Sequence, residues 1–174
     1  MKLISRNLSL LAVLGFFLVS CGYHNPYVYT GPEKVIYIKD WKNRTSELGL
    51  DSDIYHSLVK WYQKSRSIKI TKDKSSADLI LAGEIISISL PSLSYGSNNT
   101  TKEVKIRLKV RYILKDLTSD KVLFEVAKEE YTEGYVVDDT TAQTRDNQEE
   151  AIETIVTDLS QRIYQKTLVE LPKL

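Results

Sequence analysis

Apolar and polar residues alternate without a break from Val104 to Tyr112. Val104, Ile106, Leu108, Val110 and Tyr112 fall on one side, and Lys105, Arg107, Lys109 and Arg111 on the other. A period of two predicts a half-buried strand, here Val104 to Leu114. After a turn at Asp116 to Asp120, Val122, Phe124 and Val126 repeat the period and predict a further strand out to about Tyr131. Upstream, Val35 to Ile38 and Ile68 to Ile70 read as short strands, and Leu79 to Leu90 as a long one that stops at Pro91. Helical spacing occurs twice. Ile54, Leu58, Trp61 and Tyr62 predict a helix ending near Ser65, with Ser46 or Asp51 as candidate N-caps. Ile152, Ile155, Val156, Leu159 and Ile163 line one stripe of a last helix, which Asp146 and Glu149 open in capping-box spacing and which stops near Pro172. Asn43 to Gly49 is a polar turn, and Pro91 to Thr101 and Thr132 to Arg145 are loops by composition.

Successive strands with short connections imply a mostly antiparallel sheet of four to five strands. Two amphipathic helices supply cover for its one apolar face, so the predicted fold is an α+β two-layer sandwich.

The N-terminus follows a different pattern. Lys2 and Arg6 precede an apolar stretch from Leu8 to Val19, the length of a signal-peptide core and too short to span a bilayer. Leu18-Val19-Ser20-Cys21 closes it in the manner of a bacterial lipobox, whose cysteine is acylated and becomes the first mature residue. Residues 1–20 are therefore read as a lipoprotein signal peptide, 21–33 as a lipidated tether with Pro26, Gly31 and Pro32, and 34–174 as one domain. Gly22 stands where many bacteria place the Asp that retains lipoproteins in the inner membrane. An outer-membrane anchor facing the periplasm follows. Cys21 is the sole cysteine, so no disulfide is available and the fold rests on its core. Loss of Lys2 and Arg6 leaves 22 basic against 23 acidic residues, which argues against nucleic-acid binding. The 11 tyrosines suit surfaces that pack against a partner or lipid headgroups.

Catalytic signatures are missing. His24 lies in the tether, and His56 lies on a helix with no cysteine or carboxylate pair at ligand spacing, so no metal and no cofactor are expected. No nucleophile elbow, P-loop or dinucleotide fingerprint occurs, and Asp138-Asp139 reads as solvated loop charge. The chain is read as a non-enzyme. The basic stripe Lys105, Arg107, Lys109, Arg111 spans about 20 Å of one strand face and could engage several phosphates. The other reading is a solvent face neutralised across strands by acids such as Glu125 or Glu129.

Several segments resemble the LptE family of outer-membrane lipopolysaccharide-assembly lipoproteins. They are Cys21-Gly22-Tyr23-His24, the strand Ala77-Asp78-Leu79-Ile80-Leu81 with Gly83 and Ile85, and Arg145-Asp146-Asn147 leading into the last helix. Their order along the chain carries the resemblance. It implies a plug in the lumen of the β-barrel LptD, and contact with lipopolysaccharide through basic residues after the long mid-chain strand and near the start of the last helix. Arg145 matches the second position. Pro91 to Thr101 holds no Arg or Lys, so Lys102 and the stripe stand in for the first. Without the resemblance, a periplasm-facing adaptor of another envelope assembly machine, with no lipid ligand, fits the same residues.

Overall fold

The alternation between Val104 and Tyr112 is realised residue by residue. The apolar set is buried and the basic set is exposed or half-buried, in a strand that runs longer than its pattern. The computed structural model describes Tyr29, residues 31–95 and residues 101–173. The leader and Cys21 lie outside these. Among the described residues the chain forms, in order, β1 (Lys34–Ile38), β2 (Lys42–Asn43), α1 (Leu50–Tyr62), β3 (Ile68–Thr71), β4 (Leu79–Ser89), β5 (Ser92–Tyr95), β6 (Thr101–Asp116), β7 (Val122–Val136) and α2 (Thr141–Glu170), with short 3-10 turns at Lys74–Ser76 and Leu171–Lys173.

The fold is an α+β sandwich with one mixed sheet under two helices. β6 is its spine, antiparallel to β4 and β5 along one edge and to β7 along the other. The sheet is five strands across, β3-β1-β4-β6-β7, as predicted; β2 and β5 are too short to show a period, and they lengthen it along β4 and β6. It also gains a parallel flank: β1 pairs with β3 and β4, and β2 with β4. α1 returns the chain to the end where β1 began and so makes β3 parallel to β1, and residues 72–78 return it again before β4.

Besides the longer β6, three boundaries move furthest. Ser92–Tyr95, read as loop, extends the β4 edge along β6, while Pro91 accepts a hydrogen bond from the Lys105 N–H at 3.0 Å. β7 continues to Val136, which shrinks the loop before α2 to residues 137–140. α2 begins at Thr141 instead of Asp146: Thr140 caps it by accepting from the Gln143 N–H at 3.2 Å. Apart from Ala142, residues 141–147 are polar, and all are exposed or half-buried, so no apolar period marks the start of the helix. α1, unlike α2, has no side-chain cap, from Ser46, Asp51 or another described residue; Gly49 precedes it at φ 85°, a conformation that favours glycine.

One core fills the space between sheet and helices. Ile36, Leu79, Leu81, Ile85, Ile106 and Leu114 meet Ile54, Leu58, Leu159 and Ile163, all fully buried. Trp41 lies flat across Gly83, where a Cβ would fall 2.3 Å from the indole, and its ring stands 6.3 Å from that of Tyr112. The helices are joined by the Tyr62 hydroxyl on Thr167 Oγ1 at 2.6 Å, and Thr167 in turn donates to the Ile163 carbonyl.

The molecule has two distinct ends. At one, Lys34 bonds the Ser67 carbonyl, Asp78 bonds Val35, and Leu117 bonds Asp78, so the N-terminal approach, the end of α1 and the β6–β7 turn sit together. At the other, Val136 pairs with Glu103 and Val137 bonds the Lys102 carbonyl beneath the start of α2. The 16 residues of β6 separate these ends by roughly 50 Å.

Candidate functional site

The helices cover the apolar face of the sheet, which leaves the other face, and the β6 stripe on it, open. Register decides which charges meet there. Arg111 lies opposite Glu84 of β4, and Lys109 opposite Glu130 of β7. Lys109 Nζ stands 3.6 Å from the Glu130 carboxylate, and Arg111 and Arg44 both bond Glu84. Glu84 is 5% exposed on the otherwise open face, because the two guanidinium groups close over it. Burial alone would raise its pKa; hydrogen bonds and charge from Arg111 and Arg44 outweigh that and hold the carboxyl below its ordinary value.

Lys105 and Arg107 are placed differently. Arg107 faces Ser89 and Thr132, and Lys105 faces Gly134. Glu103 reaches over Gly134, yet among the described residues neither Lys105 nor Arg107 has an ion-pair partner within 4.0 Å. The stripe thus divides into a neutralised half, Lys109 and Arg111, and a half free to take an anion, Lys105 and Arg107.

Of the two acids expected to neutralise it, neither does. Glu125 lies opposite Ile113 and pairs with no stripe residue. Glu129 lies on the far face: the register between Val110–Glu129 and Tyr112–Val126 slips by one, so a bulge in β7 turns every later side chain over. There Glu129 accepts hydrogen bonds from Tyr112 and, at 3.0 Å, from Arg162 of α2, whose guanidinium stands 5.5 Å from the Tyr131 ring centre. Burial first, then the Glu129 carboxylate, pushes the Tyr112 phenol well above its usual range.

The remaining candidates gather at the end carrying the free half. Lys102 is exposed where β6 begins. Arg145 lies in the second turn of α2, 74% exposed, with Glu149 at 3.7 Å, and Asn147 ties this turn to the sheet through the Val136 carbonyl at 2.9 Å. Arg145 therefore shares an end with Lys102 and belongs to the helix layer, across the sheet from the stripe. Exposed Leu90 and Val136 add apolar surface at the same end. Sequence reasoning missed Arg44, which sits in a turn with no periodicity. His56 is exposed, and among the described residues no three His, Cys, Asp or Glu side chains gather to hold a metal, and no helix is long and apolar enough to cross a membrane.

Known proteins share this fold. A family model described as LptE, lipopolysaccharide-assembly, matches residues 34–167. Among solved structures, an uncharacterized lipoprotein B from Nitrosomonas europaea is 16% identical, with 84% of this chain and 90% of that one covered at a TM-score of 0.56. The rare lipoprotein B from Shewanella oneidensis is 14% identical over 75% of this chain and 95% of that one, TM-score 0.56. A lipoprotein from Caulobacter crescentus is 13% identical over 77% and 91%, TM-score 0.52. At these identities the likeness is one of fold. No curated protein matches the sequence.

Proposed function

This chain belongs to the LptE lipopolysaccharide-assembly family, and from that premise we propose that it is a non-catalytic outer-membrane lipoprotein, anchored through acylated Cys21, that plugs the β-barrel LptD and contacts lipopolysaccharide. The match over residues 34–167 carries the reading. Three features support it. The leader ends in a lipobox-like cysteine. The fold offers an open basic face, and the free cations Lys105 and Arg107 lie toward the end that bears Lys102 and Arg145. That end is opposite the N-terminal approach, so an anchored domain would enter a barrel tip first and keep its tethered end at the periplasmic mouth.

Lipopolysaccharide presents phosphates, which an arginine grips with two parallel charge-assisted bonds that lysine cannot reproduce. Arg107 is accordingly the strongest candidate contact, followed by Lys105, Lys102 and Arg145; Lys109 and Arg111 are occupied by acids. Purification of the native protein in mild detergent should bring the barrel with it, and depletion should lower the amount of assembled barrel. Arg107→Glu should weaken lipopolysaccharide binding by about tenfold or more at moderate salt. Migration alone in native gels, with barrel levels and outer-membrane permeability unchanged on depletion, would favour a periplasm-facing adaptor with water-soluble partners.

A further inference from the structure

Lys64, Arg66, Lys69, Lys72 and Lys74 put five cations into eleven residues, with Asp73 the one acid among them. All five are exposed, and among the described residues none has an ion-pair partner. Lys64 rests over the Trp61 ring at 3.2 Å, and the Asp73 carboxylate is taken up by the Ser75 hydroxyl and N–H of its own turn. The run covers β3, an edge strand paired among the described residues only with β1, and its flanks. Guarding an edge against strand addition explains a lysine inside the strand, Lys69. It does not explain Arg66, Lys72 and Lys74, which lie outside it.

Position supplies the explanation. The Lys34 N–H bonds the Ser67 carbonyl at 2.8 Å, so the run begins where the chain enters the fold from its N-terminal side. Tyr29 is already packed in the core. Eight residue steps separate it from Cys21, a reach of at most roughly 28 Å. A chain acylated at Cys21 therefore holds these cations near a bilayer surface whose headgroups carry the complementary charge.

We propose that the Lys64–Lys74 edge is a membrane-surface contact, which rests this end of the domain on anionic glycerophospholipid headgroups of the leaflet that holds the anchor. The proposal rests on the reading of Cys21 as acylated. A basic patch beside an acyl anchor adds a second, orienting attachment, and it leaves the opposite end, with Lys102 and Arg107, pointing away from that leaflet.

Among the described residues every core side chain lies between Tyr29 and Leu171, so a chain running from Gly22 to Leu174 without the acyl group keeps them all. It should sediment with vesicles of phosphatidylethanolamine and phosphatidylglycerol, not with phosphatidylcholine vesicles, and high salt should release it. Each cation near such a surface is worth about fivefold in partitioning, so the triple variant Arg66→Glu, Lys69→Glu, Lys72→Glu should lose at least about a hundredfold. Lys105→Glu with Arg107→Glu should lose little. Equal binding to phosphatidylcholine, insensitivity to salt, or loss that follows the Lys105 and Arg107 reversals would overturn the proposal, as would binding to lipopolysaccharide micelles with none to phosphatidylglycerol. Should the triple variant fail to fold, the salt series on the unaltered chain decides between the two outcomes. Mass spectrometry of Cys21 from the full chain separates the lipid contact from the anchor. An acylated cysteine with no preference for anionic vesicles sinks the contact and spares the anchor; an unmodified cysteine with that preference does the reverse.

Discussion

Glu84 couples protonation to the fold. Its carboxyl is held below the ordinary 4.5 because Arg111 and Arg44 outweigh the cost of burying it. A carboxylate with a lowered pKa in the folded state stabilises that state above the unfolded-state value, and the stabilisation is lost as pH falls through the folded-state value. Glu84→Gln should therefore be less stable than the parent chain at pH 7, and the gap between their urea midpoints should close as the pH drops below about 4.5. A gap that stays constant down to pH 3 would show that the carboxylate's charge is not what matters. The same residue marks the boundary of what is legible in the sequence. Lys105, Arg107, Lys109 and Arg111 share a face by a period of two, which the sequence displays. Which of them are neutralised depends on an acid 27 positions away on β4, and on a bulge that puts Glu130 in the place that a regular strand would give Glu129. Neither leaves a local mark.

Among the elements, those with a strong period are readable and those specified by single polar contacts are not. β6 and the apolar stripe of α2 stand where their patterns place them. The first turn of α2 does not, since Thr141 to Asn147 carry no apolar stripe and Asp146 with Glu149 offers a more familiar capping box than Thr140-x-x-Gln143. Gln143 turns its side chain to Asn147 instead of back to the cap, and the Thr140 N–H donates to Asp138 Oδ1 at 3.3 Å in its place. Thr140→Ala should cost about 1 kcal/mol, a fall in Tm of roughly 2–4 °C for a domain of this size. Because the turn that follows carries Arg145 and holds Val136 through Asn147, amide exchange should quicken at residues 141–147 while the β6 amides stay protected. Uniform acceleration over the whole helix would show that the cap governs more than its own end. β5 is hidden for a related reason: the four residues Ser92, Leu93, Ser94 and Tyr95 make a strand only because the start of β6 offers an edge to pair with.

At the scale of the whole molecule, core packing and unpaired positive charge occupy opposite faces of one strand. Leu108 points into the core at 1% exposure, beside Arg107, which points out. Leu108→Ala removes buried methyl groups and leaves a cavity, so it should destabilise by about 2–5 kcal/mol without altering a charge. Arg107→Glu alters charge at an exposed position with no ion-pair partner among the described residues, and should change stability by no more than about 0.5 kcal/mol. If the open face is the ligand surface, the two variants separate on two axes. Leu108→Ala, assayed well below its Tm, keeps its affinity for lipopolysaccharide, and Arg107→Glu keeps its Tm and loses affinity. Adding Leu48→Ala fixes the zero of the stability axis, because that side chain is 94% exposed in the turn before α1. The outcome that would sink this division is parallel loss, with both strand variants weakening binding in proportion to their fall in Tm, for then the stripe would serve the fold and the anion site would have to lie elsewhere.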